Sequence, residues 1–138
     1  MAPRVVAIRG RHPVLEPAFH LHTGGTRAYS QSKLAQIMAG FELAERVASE
    51  QITVNSLHPA TYMPTKIVLE GGSSPIDTLE EGVDATVRLA ASPDLEGVTG
   101  RFFDRQAEAR AHDQAYDPDA RRRLWQLSLE LTGESDVS

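Results

Sequence analysis

The sequence contains no cysteine, only two lysines, and no apolar run long enough to cross a bilayer. The absence of cysteine excludes disulfides and thiolate metal sites and fits a reducing compartment. No segment reads as a membrane span or a signal peptide, so the expectation is a soluble, cytoplasmic chain without a membrane partner. A net charge of −5 argues against nucleic acid as a partner. The first 29 residues contain no serine at all. What remains is 138 residues, 41% of them hydrophobic, enough for one domain with a real core.

Both lysines lie four residues after a tyrosine, as Tyr29/Lys33 and Tyr62/Lys66. On a helix, residues at i and i+4 share a face, so a phenol and an ammonium at that spacing address one small volume. A free phenol, with a pKa of about 10, is a poor acid near neutral pH. A cation held a few ångströms away favours the phenolate and makes the group a usable general acid/base for a carbonyl or alcohol oxygen. That chemistry needs a hydride carrier. The second pair contains Pro64, which disfavours a continuous helix. The first is followed by Leu34, Ile37, Met38, Phe41 and Val47 at near-helical spacing. Spacing alone leaves a helix N-terminus with a surface lysine as the competing reading of Tyr29/Lys33.

Tyr29-Ser-Gln-Ser-Lys33, its helix, and then Ile52-Thr-Val-Asn-Ser-Leu-His-Pro-Ala60 resemble the second half of a short-chain dehydrogenase/reductase (SDR). The likeness runs from about Thr26 to the C-terminus, with its two motifs in the family's order. It implies an NAD(P)-dependent oxidoreductase moving hydride between nicotinamide and a small-molecule carbonyl or secondary alcohol. Tyr29 would be the catalytic acid/base, and Lys33 would bond the nicotinamide ribose and tune the tyrosine. Pro59, Ala60 and Thr61 would line the nicotinamide, and Thr65 would contact the carboxamide or phosphate. Ala60 stands where the family has glycine, and Thr65 lies one residue later than the common pattern.

The family's Gly-rich cofactor turn, which sets a pyrophosphate on a helix N-terminus, is absent from these 138 residues, as is the serine upstream of the tyrosine. Gly24-Gly25 and Gly71-Gly72 fall at the wrong places in the order, and Thr23 and Thr26 read as helix-cap residues. Residues 1–28 hold Arg4, Arg9, Arg11 and Arg27 against Glu16 alone, a net of +3, while the remainder nets −8. The expectation is a truncated SDR domain over 1–138, with an atypical leader at 1–25 and SDR-like sequence at 26–138. It would be inactive alone, its length set by truncation, a late start or a frame shift. The alternative is a non-catalytic remnant that forms a homo-oligomer or binds an SDR-like partner. His12, His20 and His22 lack carboxylates or thiolates at ligand spacing, so no metal site is expected.

Punctuation places the elements. Strands are expected at Arg4–Ile8, Ile52–Leu57 and Gly100–Phe103. A helix capped by Thr26 or a neighbour should run to about Ser49, and Thr61–Ile76 should form a loop with room for a short helix. Thr78-x-x-Glu81 is a capping box opening a helix to Ala91, with Leu79, Val83, Val87 and Ala90 facing inward. Asp117-Pro118 starts a last helix that Gly133 ends, with Leu124, Leu127 and Leu131 on one face. Its Arg121-Arg-Arg123 run reads as a solvated surface. The fold class is α/β: a partial Rossmann-like, doubly wound fold with about three parallel strands and flanking helices.

Overall fold

The computed structural model describes residues 25–136. The strand expected at Arg4–Ile8 and the three leader histidines lie outside them. Helix α1 spans Gly25–Arg46. Leu34, Ile37, Met38 and Phe41 recur three and four apart, so they form one stripe, and all four are buried. Burying each such side chain contributes about 1.5–3 kcal/mol, which makes this stripe the anchor of the domain. The chain leaves α1 through turns at Val47–Glu50 and enters strand β1, Ser56–His58. A short helix α2 (Lys66–Glu70) and helix α3 (Leu79–Ala91) follow. Strands β2 (Phe102–Asp104) and β3 (Ala107–Ala109) come next, and helix α4, Pro118–Thr132, closes the fold.

The sheet order is β1-β2-β3. β1 pairs parallel with β2, Leu57 opposite Phe103, and the connection between them runs through α3. β2 pairs antiparallel with β3, Phe103 opposite Glu108. The described sheet is therefore mixed, not the all-parallel one expected. Arg105 takes a left-handed φ of 55°, and the chain turns straight back after Asp104. Ala107-Glu-Ala109 carries no β-branched or aromatic residue, so its sequence gave no strand signal.

Successive strand residues face opposite sides, and Phe102 and Phe103 sort the helices accordingly. Phe102 joins the α1 stripe, Ala115 and half-buried Leu124 of α4. Phe103 joins Leu57 with Ala85 and Leu89 of α3. Helices thus cover both faces of the sheet. This is α/β architecture.

Two further expectations fail. The capping box of α3 forms as expected, yet Leu79, Val83, Val87 and Ala90 are exposed while Gly82, Ala85 and Leu89 are buried. The reason is close approach: a Cβ on Gly82 would meet Met63 Sδ at 2.2 Å. The small-residue side of α3 seats there, and its larger apolar stripe faces outward. In α4, the Asp117 cap and the left-handed Gly133 stop are both present. Leu124 and Leu127 are half-buried, but Leu131 is exposed. Arg121 is buried, not solvated, with its guanidinium against Glu42 (3.7 Å) and Glu45 and bonded to the Ala115 carbonyl. Arg46 bonds the same Glu42 at 2.9 Å and reaches Asp136 at 2.7 Å.

Candidate functional site

Ala44 of α1 lies 3.6 Å from where Gly100 would carry a Cβ, just before β2 begins. Tyr29 is fifteen residues earlier in the same helix, roughly 22 Å along its axis. The first turns of α1, which carry Tyr29 and Lys33, thus lie well away from the contact that Ala44 makes at the start of β2. In open α/β sheets ligands bind at the C-terminal end of the strands.

Tyr29 and Lys33 share one face of α1, as their spacing required. The Lys33 ammonium lies 5.5 Å from the centroid of the Tyr29 ring, within cation–π range. Lys33 also donates to Gln36 Oε1 at 3.1 Å, so its partner is neutral and its charge is not cancelled by that carboxamide. Tyr29 is 53% exposed. Tyr62 and Lys66 form no such pair. Tyr62 has a left-handed φ of 45° and precedes α2, which begins at Lys66.

β1 carries the second group of candidate residues. His58 ends the strand, Pro59 is half-buried, and Ala60 is fully buried at 0%. Ala60 is not among the residues with positive φ, so alanine fits this turn without strain. Its Cβ lies 3.5 Å from where Gly82 would carry one. Thr65 takes extended backbone at the start of α2, and its side chain makes no cap bond to that helix.

Sequence reasoning missed the groups that organise this edge. Asp77 Oδ2 accepts from the Thr61 amide at 2.6 Å and from Arg105 at 2.5 Å. The Thr61 amide bond, and then Arg105, hold the Asp77 carboxyl below its ordinary range. Arg105 is fixed in turn by its own amide on the His58 carbonyl at 2.7 Å and by Asp104 at 3.0 Å. His58 Nε2 lies 3.0 Å from Thr61 Oγ1. Asp77 and Arg105 are 28 residues apart, and no local pattern links them.

The exposed Tyr29 phenol beside the Lys33 ammonium has the chemistry to meet a ribose and a reacting oxygen, whereas Ala60, packed toward Gly82, has no exposed surface to offer a ligand. Among the described residues no group of three or more His, Cys, Asp or Glu could hold a metal ion, and no helix is long and apolar enough to cross a membrane.

No family model matches the chain. Curated relatives do. Over 117 residues it is 36% identical to "Retinol dehydrogenase 14" of Mus musculus, covering 76% of this chain and 35% of that protein. It is 37% identical over 132 residues to "Probable oxidoreductase" of Streptomyces antibioticus, 75% of this chain and 44% of that one. It is 33% identical over 116 residues to "WW domain-containing oxidoreductase" of Danio rerio, 78% and 28% respectively. This chain belongs to the short-chain dehydrogenase/reductase family. The SDR chain spans less than half the length of these relatives, and all three carry dehydrogenase or oxidoreductase names.

Proposed function

We propose that this chain carries the acid/base and nicotinamide-facing part of an NAD(P)-dependent SDR acting on a carbonyl or secondary alcohol. The single observation that supports this most is the Lys33 ammonium held 5.5 Å from the exposed Tyr29 ring on one face of α1. The bound nicotinamide would supply or take the hydride. Tyr29 Oη would give the proton to the carbonyl oxygen or remove it from the alcohol. Lys33, turning from Gln36, would bond the nicotinamide ribose and favour the phenolate. Pro59 and Thr61 would line the ring, with Thr65 at its carboxamide or phosphate and buried Ala60 backing the strip rather than meeting the ligand. The mixed sheet would be the C-terminal side of a Rossmann-type, doubly wound sheet.

The substrate we propose is apolar. Tyr62, Ile67, Leu69 and Ile76 lie on or beside the loop that follows the strip, and all are exposed, Ile67 to 81%. A retinol dehydrogenase is among the relatives. Residues 1–138 alone would bind cofactor weakly, because no Gly-rich turn in them holds the pyrophosphate. The test is oxidation of NADH and NADPH with a panel of ketones and aldehydes, with and without an SDR Gly-rich βα segment added in trans. Turnover that needs the added segment and falls about 10²–10⁴-fold in Tyr29→Phe supports the reading. Turnover indifferent to Tyr29→Phe overturns it. A second reading, a remnant that associates through its helices, is favoured by the outward Leu79/Val83/Val87 stripe. Sedimentation across micromolar concentrations separates the two.

A further inference from the structure

We infer that Asp77 and Arg105 are positioning residues: a latch that ties the strip at 59–61 to the β2–β3 turn and closes the base of the 62–76 loop. The claim that the latch serves catalysis rests on reading that strip as the nicotinamide lining. The latch itself rests on geometry. Three separate segments meet at one carboxylate. Thr61 and Asp77 exchange bonds, the Thr61 amide to Asp77 Oδ2 at 2.6 Å and the Asp77 amide to the Thr61 carbonyl at 3.0 Å. The Ile76 amide continues the closure onto the Tyr62 carbonyl at 3.1 Å. Arg105 then spans from the Asp77 carboxylate to Thr61 Oγ1 at 3.4 Å and to Asp104 at 3.0 Å.

The arrangement is costly enough to need a purpose. Arg105 holds a left-handed φ of 55°, and Tyr62 one of 45°, conformations uncommon for residues other than glycine. Asp77 is 12% exposed at its side chain, where a charge needs partners. Both ends of the Pro59-Ala60 strip are consequently fixed: His58 by the Arg105 amide, Thr61 by Asp77. The loop beyond Met63, which itself packs toward Gly82, can then change conformation without moving the strip. That is the property a site needs when one surface must stay set while its cover adapts.

The experiment is amide NMR of the isotopically labelled chain, comparing wild type with Asp77→Asn, Arg105→Ala and Arg105→Lys. The titratable and charged groups acting on Asp77 are Arg105 from the β2–β3 turn and His58 from β1, with Asp104 bonded to the same Arg105. In wild type the Thr61 amide proton should resonate downfield and move with ionisation of Asp77, and in Asp77→Asn that acid titration should vanish. Exchange at the Thr61 and Asp77 amides should rise about 10- to 100-fold in Asp77→Asn and Arg105→Ala. Arg105→Lys should restore part of the protection, and the α1 and α4 amides should not change in any variant. A Thr61 amide that ignores Asp77 ionisation overturns the latch. So does loss of protection spread evenly over α1 and α4. No readout needs cofactor, so the latch can fail while the Tyr29–Lys33 reading stands, and the reverse.

Discussion

The α1–α4 side and the 61–77 side of this molecule are built on opposite plans. Between α1 and α4 the large apolar side chains point inward around Met38 and Phe41. Charges there are buried in pairs, Glu42 with Arg46 and Arg121, and Trp125 stacks under Arg46 at 4.9 Å while bonding Asp136. On the other side Ile67, Leu69, Ile76, Leu79, Val83 and Val87 point outward, and α2 buries no residue. One side is held by packing, the other by a few directed bonds at its base. A cover that must open to admit and release ligands belongs on the second, where local opening is cheap.

The comparison breaks first at the packed side. Phe41→Ala should destabilise the chain by about 3–5 kcal/mol, since a buried ring leaves a cavity no neighbour can fill. Urea denaturation reads this as a large fall in midpoint at unchanged slope. A loss below about 1 kcal/mol would mean the stripe is not the anchor.

Next comes the buried charge cluster. Arg121→Met leaves buried Glu42 with Arg46 alone and removes the guanidinium bond to the Ala115 carbonyl, and should cost about 1–3 kcal/mol. Pairing it with Glu42→Leu should recover most of that, because a buried ion pair often does no better than apolar groups of like volume. A double variant as weak as the single one would show that the ions themselves, not their pairing, hold α4.

The loop side should respond differently. Ile67→Ser and Leu69→Ser should leave stability within about 0.5 kcal/mol, as surface changes do, while weakening any apolar carbonyl substrate. Equal loss of stability and substrate would erase the contrast.

The smallest effect is one of pH. Asp77 is held below the ordinary carboxylate range by the Thr61 amide, then by Arg105. A depressed native pKa adds stability that is fully present above the unfolded value of about 3.9. That stability is lost as pH falls through the lower native value. Acid titration should therefore release the 61–77 base below the ordinary carboxylate range, and Asp77→Asn should remove that step.

Local rules made much of the fold legible and left specific parts dark. Caps were readable because they are short-range chemistry: Thr78 with Glu81, Asp117 before Pro118, Gly133 after Thr132. The α1 stripe was readable because four large apolar residues repeat on one face. The orientation of α3 was not, because both of its faces carry apolar residues and the choice is made by contacts distant in sequence, Met63 toward Gly82 and Leu57 and Phe103 with Ala85 and Leu89. β3 was hidden by its composition, and the burial of Arg121 by its place in a run of three arginines. At the site, Tyr29, Lys33 and the Pro59–Ala60 turn lie in contiguous motifs. Asp77 and Arg105 meet only in three dimensions, across 28 residues of chain.

The most direct test of a nicotinamide site at this edge is a titration of NADPH, and separately NADH, into the labelled chain, followed by amide shifts up to millimolar concentration. The account predicts perturbations confined to residues around Tyr29, Lys33, Ala60, Thr61 and Thr65, even where binding is too weak to saturate. Shifts confined to α4 or the outer face of α3, or none at all at millimolar cofactor, would contradict it.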